Sequence, residues 1–193
     1  MAAPSPVQIC NIALGRIGQR PIAAFTDGTA TSTLASVHYD PARQSVLRAS
    51  PWRFATKRKQ IAVLSDSPAW GWTYQYQWPD GALAILKVSS QPSFQDSARW
   101  ESEGRQILTN ISAPIYVKYT DDVTDTALFD PMFVDALAEY LASEIVFGIT
   151  KRADLRKLHL TVYETKISDA EAVDRTEIVD EQPEADDFIV VRR

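Results

Sequence analysis

Glu101 and Glu103 lie two positions apart on a predicted strand and so share one face. Two carboxylates so placed could supply the acid and the nucleophile or base of a glycosidase, given a suitable gap and suitable pKa values. Acidic pairs beside a hairpin turn are common, and Glu103-Gly104 is such a turn, so solvation is the expected role. The two histidines, His38 and His159, fall in different predicted helices, and no Cys/His cluster surrounds either. A zinc site needs further ligands at short spacing, so both are expected to be ordinary surface or boundary residues. Asp121, Asp122 and Asp125 could meet calcium but lack the glycine and the closing glutamate of an EF-hand loop; loop solvation is expected. The sequence contains no phosphate loop, dinucleotide fingerprint or nucleophile elbow. No catalytic residue, cofactor or metal ligand is expected.

Two features suit binding better than catalysis. Trp70, Trp72, Tyr74, Tyr76 and Trp78 keep a strict period of two, which places five aromatics on one face of a predicted strand. Such a face could stack bases or sugars. Burial of one aromatic removes roughly 150–250 Å² from water, so a sheet core is the expected use. Arg53, Lys57, Arg58 and Lys59 form a basic segment that could meet phosphates, or an acidic face of a neighbouring subunit.

The elements that must position these residues are legible from periodicity. Ser5-Pro6-Val7-Gln8 fits a capping box, and Val7, Cys10, Leu14 and Ile17 continue as a helical stripe. Gly15 and Gly18 interrupt that stripe, with close backbone approach as their expected use; Gln19-Arg20-Pro21 ends the helix. A second helix is predicted from Thr31 to about Ala49, with Leu34, Val37 and Leu47 inward. Pro41 lies inside it: either the helix kinks there or Asp40 caps a second segment, and the kink is the preferred form.

Residues 52–128 change to alternating patterns and turn signals. They read as one inserted antiparallel sheet, with strands around Leu83–Val88, Arg99–Ser102, Arg105–Thr109 and Ile115–Tyr119. From Asp130-Pro131 the helical period returns, and Phe133, Ala136, Leu137, Tyr140, Leu141, Ile145 and Val146 cover most of a helix circumference. Such a helix is buried inside the domain or at a subunit contact. A fourth helix follows from about Ala153 to Val173, with Leu155, Leu158, Val162, Ile167 and Ala170 inward. The predicted fold class is α+β: an antiparallel bundle of about four helices (1–51 plus 129–175) carrying an inserted β module (52–128). An acidic linker and an extended C-terminal tail (176–193) complete the chain. The tail's Phe188, Ile189, Val190 and Val191 form a short β-prone run suited to docking onto a partner.

Charge is distributed along the chain rather than balanced. Residues 1–60 hold eight Lys/Arg against two Asp/Glu, and residues 120–193 hold eight against eighteen. Complementary ends of this kind help set register in a ring or stack. Cys10 is the only cysteine, which rules out an internal disulfide and fits a reducing cytoplasm. Met1–Pro6 shows no basic region followed by an apolar stretch, so no signal peptide is expected. No apolar run approaches the roughly 20 residues that span a bilayer, and no membrane partner is expected.

The opening helix Ile9-Cys10-Asn11-Ile12-Ala13-Leu14-Gly15-Arg16-Ile17-Gly18 resembles that of the tail tubular protein A family, the head-to-tail adaptors of short-tailed (podovirus-type) bacteriophages. The resemblance continues through Tyr39-Asp40, Arg43, Val46-Leu47-Arg48, Pro51-Trp52-Arg53-Phe54-Ala55 and Arg58-Lys59. It also takes in Gly71-Trp72-Thr73-Tyr74-Gln75-Tyr76, Pro79-Asp80, Glu103-Gly104 with Ile107, and Phe129-Asp130-Pro131 with Phe133, Ala136-Leu137-Ala138 and Leu141-Ala142. It covers about residues 5–172; Pro41 and the acidic tail depart from the pattern.

The resemblance implies a helical bundle with an inserted β module, and a structural rather than enzymatic role in the virion. Family members form a twelve-copy ring under the portal protein, prolong the channel through which packaged DNA passes, and carry the tail nozzle and the fibres or spikes. Localisation to the virion tail, after assembly in the bacterial cytoplasm, follows from the same resemblance. On this reading Phe188–Val191 is the element that docks towards the portal. A peptidoglycan-degrading tail enzyme using Glu101 or Glu103, and a nucleic-acid-binding module built on Arg53–Lys59, are the alternative functions.

Overall fold

The computed structural model describes residues 3–96 and 98–176; the tail with Phe188–Val191 lies outside them. Ser5 accepts from the Gln8 amide while the Gln8 side chain accepts from the Ser5 amide, and the resulting capping box starts α1 (Pro6–Arg16). α1 ends earlier than Gln19-Arg20-Pro21. Gly18 adopts φ +71°, and the Gln19 and Gly18 amides bond back to the Leu14 and Gly15 carbonyls at 2.9 and 3.1 Å, a Schellman stop. Gly15 does not serve close approach, for a Cβ there would meet nothing within 4 Å. That use belongs to Gly148, where a Cβ would come 3.1 Å from the Leu34 side chain.

α2 (Ala30–Ala49) begins at a second capping box, between Thr29 and Ser32. It runs unbroken through Pro41, so no second segment starts at Asp40. Leu47 is buried, but Val37 is 63% exposed and not inward. α3 (Pro131–Thr150) is capped by Asp130, whose carboxylate accepts from the Met132 amide at 2.7 Å. Its Lys151 cap, in the left-handed region, turns the chain sharply into α4 (Ala153–Thr176). The two helices pack antiparallel: Glu144 meets Arg156, Tyr140 meets Tyr163, Glu139 meets His159 and Asp135 meets Lys166. α1, α2 and α4 all pack on α3, so most of it is buried within the bundle, while Phe147 near its end stays exposed. In α4, Leu158 is 55% exposed and not inward; the buried positions are His159, Tyr163 and Ala170.

The inserted residues form two antiparallel sheets rather than one. The first has the order β1 (Thr56–Ile61), β6 (Ile115–Asp121), β3 (Ala82–Ser89). The second has the order β2 (Tyr74–Gln77), β5 (Gln106–Thr109), β4 (Trp100–Glu103). The Glu103-Gly104 hairpin forms as its sequence dictates, with Gly104 and Arg105 both at positive φ. The inner faces, with Ile61, Ile85, Val88, Ile115, Val117 and Tyr119 on one side and Tyr76 and Ile107 on the other, make a second apolar cluster. Two register shifts in β3 turn Leu83 towards the helical core while Ala82, Ile85 and Val88 stay in the sheet cluster.

The aromatic run is broken up. Only Tyr74 and Tyr76 lie in β2; Trp70 and Trp72 precede it, on either side of Gly71 at φ +80°. Trp70 is 86% exposed, so the expected five-aromatic face does not form. Where the β module joins the helices, Phe133 is ringed by Trp52, Phe54 and Phe129 at centroid distances of 5.1, 5.0 and 4.8 Å, each near edge-on. The Trp52 indole N–H donates to the Val46 carbonyl at 2.8 Å. The architecture is α+β, with helices before and after the strands closing a single core.

Candidate functional site

The basic segment forms an edge strand, and the strand's alternation divides its cations between two faces. Lys57 pairs with Tyr119 and Lys59 with Val117, on the side of the sheet cluster. Arg58 pairs with Lys118, which in turn pairs with Lys87 of β3. The opposite face thus carries a row of three cations, one per strand. Arg53 lies apart, on the 3-10 turn Arg53–Ala55 that leads into β1. The four residues expected to act as a cluster do not converge on one point. Lys87 and Lys118 were not anticipated; Lys118 alternates with buried Val117 and Tyr119, but the irregular burial of β3 left no such signal at Lys87.

The cationic row is partly engaged. The Arg58 guanidinium lies 5.8 Å from the Phe94 ring centroid, and Lys87 Nζ donates to the Phe94 carbonyl at 2.5 Å. Phe94, at φ +58°, therefore bridges the outer strands. Beside it Asp96 accepts from the Ser89 hydroxyl and from the Ser90 amide and hydroxyl, at 2.8 and 2.7 Å for the last two. These donors, Ser89 first, hold its carboxyl down to about 2. On the other face Lys57 Nζ reaches Asp121 at 2.7 Å, and that hydrogen bond and charge hold the ammonium above its usual range. Both partners of that pair reach solvent or its margin, so it adds under about 1 kcal/mol. Lys59 and Lys118 have no charged partner among the described residues.

Glu101 and Glu103 share the exposed face of β4, as expected. Glu101 accepts from the Trp72 indole N–H at 3.1 Å, and the Arg99 guanidinium stands 5.6 Å from the Trp72 ring. The Thr73 amide donates to Asn110 Oδ1 at 2.9 Å, which ties the segment before β2 to the residue after β5.

The aspartates between β6 and the helices are not merely solvated. Asp121 holds Lys57, and Asp122 accepts from Arg43 at 2.5 Å and Gln44 at 2.8 Å. Asp125 caps the 3-10 turn Thr126–Leu128. Arg43 is almost fully buried and also donates to the Val123 carbonyl at 2.7 Å. It ties α2 to the end of the β module across 79 residues of sequence, a separation that left no sequence signal. His159 is buried, not superficial: its Nδ1 lies 2.8 Å from Glu139, and Glu139 also meets Arg16 at 3.3 Å. Asp135 joins this network through Arg16 and Lys166. Burial pushes its carboxyl up, but those two cations outweigh burial and hold it below the usual range. The network spans α1, α3 and α4 and lies within the bundle.

Among the described residues, no group of three His, Cys, Asp or Glu is placed to hold a metal ion. Among them also, no helix is long and apolar enough to cross a membrane. A cavity of about 230 Å³ lies between the 3-10 turn, the start of α3 and the end of α4, lined by Trp52, Arg53, Phe54, Met132, Ala170 and Val173 among others. The sequence matches no protein-family model and no curated protein.

Proposed function

We propose that this chain is a head-to-tail adaptor of a short-tailed bacteriophage, a virion component that forms a ring under the portal. In that role it lengthens the DNA channel and holds the tail nozzle and the fibres or spikes. The reading is carried by an agreement of architecture: two helices, an inserted β module and two further helices that close the same core. This is the arrangement implied by the residues that resemble the adaptor family. The domain division follows: residues 1–51 with 129–175 as bundle, 52–128 as module, 176–193 as tail.

α3 is enclosed over most of its length and leaves only Phe147, near its C-terminal end, as a large exposed apolar side chain. The surfaces left for neighbours are the exposed apolar side chains of the bundle, Ile12, Val37, Phe147 and Leu158, one from each helix. The other candidates are the cationic strand β1 and the tail with Phe188–Val191.

The test is reconstitution. Purified protein mixed with the portal of the same phage should give rings seated on the portal in electron micrographs, and charge reversal at Lys59 and Lys118 should slow their formation. Absence of rings on that portal, together with infectious particles from phage lacking the gene, overturns the assignment.

A further inference from the structure

β1 is the open edge of its sheet. All six of its residues pair with β6 on one side, and among the described residues no strand lies on the other. Lys57, Arg58, Lys59 and Gln60 are all exposed. An edge of this kind presents unpaired N–H and C=O groups, and a run of lysine and arginine guards it against strands without matching charge. A strand flanked by carboxylates is the kind of partner such an edge admits.

The chain itself contains one. Residues 177–187 include six Asp/Glu and no Lys/Arg, and they run directly into Phe188-Ile189-Val190-Val191. β-Branched and aromatic residues favour a pleated, half-buried strand. The six residues 186–191 match the six of β1, and Asp186-Asp187 bring the opposite charge to the lysine-rich edge.

The place where α4 ends makes the reach short. Ala170 and Val173 line the same cavity as Trp52, Arg53 and Phe54, and Phe54 is two residues before β1 begins. The nine residues 177–185 can extend to about 30 Å, against about 20 Å for the whole of β1. Tethering so close to the edge gives a local concentration on the order of millimolar, which favours the chain's own tail over that of another copy.

We infer that residues 186–191 add to the free edge of β1 in the same chain, as the fourth strand of the β1-β6-β3 sheet. The tail is thereby stored on its own β module, with the acidic run beside Lys57–Lys59, in the protein before assembly. The inference concerns the isolated chain and stands apart from the adaptor assignment, so either can fail without the other.

Amide hydrogen exchange on the full-length protein at low micromolar concentration tests it. Peptides covering residues 56–61 should exchange at least ten-fold more slowly than in a chain ending at Ala185, while α3 stays equally protected in both. Val190→Pro removes a backbone donor without shortening the chain and should reproduce the truncation. With 186–191 antiparallel to 56–61, Val190 stands opposite Lys57, so a Lys57→Cys, Val190→Cys protein should close an intrachain disulfide under mild oxidation; Cys10 does not compete, because it is buried and its thiol is pushed up to about 12. Equal exchange of residues 56–61 in the full-length and truncated chains overturns the inference. So does protection that rises with protein concentration, which would show the strand coming from a second copy.

Discussion

The helical bundle and the β module treat charge in opposite ways. In the bundle, Arg16, Asp135, Glu139, His159 and Lys166 face one another between helices, and Arg43 is buried at the junction. In the module, Lys57, Arg58, Lys59, Glu101 and Glu103 all face solvent. The apolar groups differ in step: α3 alone buries Phe133, Leu137, Leu141 and Ile145, whereas the module closes around a smaller cluster between two three-stranded sheets. Charge enclosed between helices fixes which helices pack together, because an unpaired charge there is expensive. Charge on an edge strand fixes what may approach from outside. The bundle thus encloses its charges between helices, while the module presents its charges to solvent.

The comparison can be broken most forcefully at Phe133, where the two parts meet. Phe133→Ala removes the ring that Trp52, Phe54 and Phe129 surround and should cost about 3–5 kcal/mol, read from urea unfolding. Ile107→Ala in the module should cost less, since a shallower cluster relaxes more easily; a larger loss there reverses the assignment of the stable part. Arg43→Ala comes next. Asp122 keeps partial access to water, so the loss should be about 2–4 kcal/mol rather than that of a fully enclosed pair. Its distinguishing sign is faster exchange at Val123 with α3 unchanged; uniform loosening would mean that the link is not local.

Tyr39 gives a smaller effect of opposite sign. Among the described residues its buried hydroxyl has no hydrogen-bond partner, and burial pushes its pKa up to about 12. Tyr39→Phe should be neutral or raise stability by up to about 1 kcal/mol, and a clear loss would reveal an unseen partner. Asp96 gives the most local effect. Its carboxyl is held below the ordinary value, so its contribution is fully present above about pH 4 and is lost as pH falls through about 2. Carboxyl resonances followed by NMR should show Asp96 titrating near 2 in the native protein and higher in Ser89→Ala, where the two Ser90 bonds still hold it below the usual range. An unchanged midpoint in that variant would remove Ser89 as the main cause.

Legibility in the sequence followed the range of the interactions. The capping box of α1, the Asp130 cap of α3, the proline starts of both helices, the 103–106 hairpin and the buried face of β6 depend on residues a few positions apart, and all were readable. Strand β1 was not, because Thr-Lys-Arg-Lys-Gln-Ile has one buried residue and no alternation of apolar groups; pairing with β6 alone makes it a strand. The aromatic run misled because its period of two continues across Gly71, where the backbone turns away. Val37 and Leu158 misled because helical spacing names a stripe without saying how much of it a neighbour covers. The basic segment was found as a composition, but its division between two faces needed the register.

The sequence by itself determined the kinds of element, their order, the α+β class and the uneven placement of charge along the chain. Those are set by local backbone preference and by periodicity, which travel with the chain wherever it folds. Tertiary structure decided which charges are enclosed and which are offered. It sealed His159 and Glu139 between α3 and α4, joined Arg43 to Asp122 from opposite ends of the inserted module, and lined up Arg58, Lys118 and Lys87 from three separate strands. Burial and pairing are properties of surfaces brought together from far along the chain, and no spacing rule within one segment contains them.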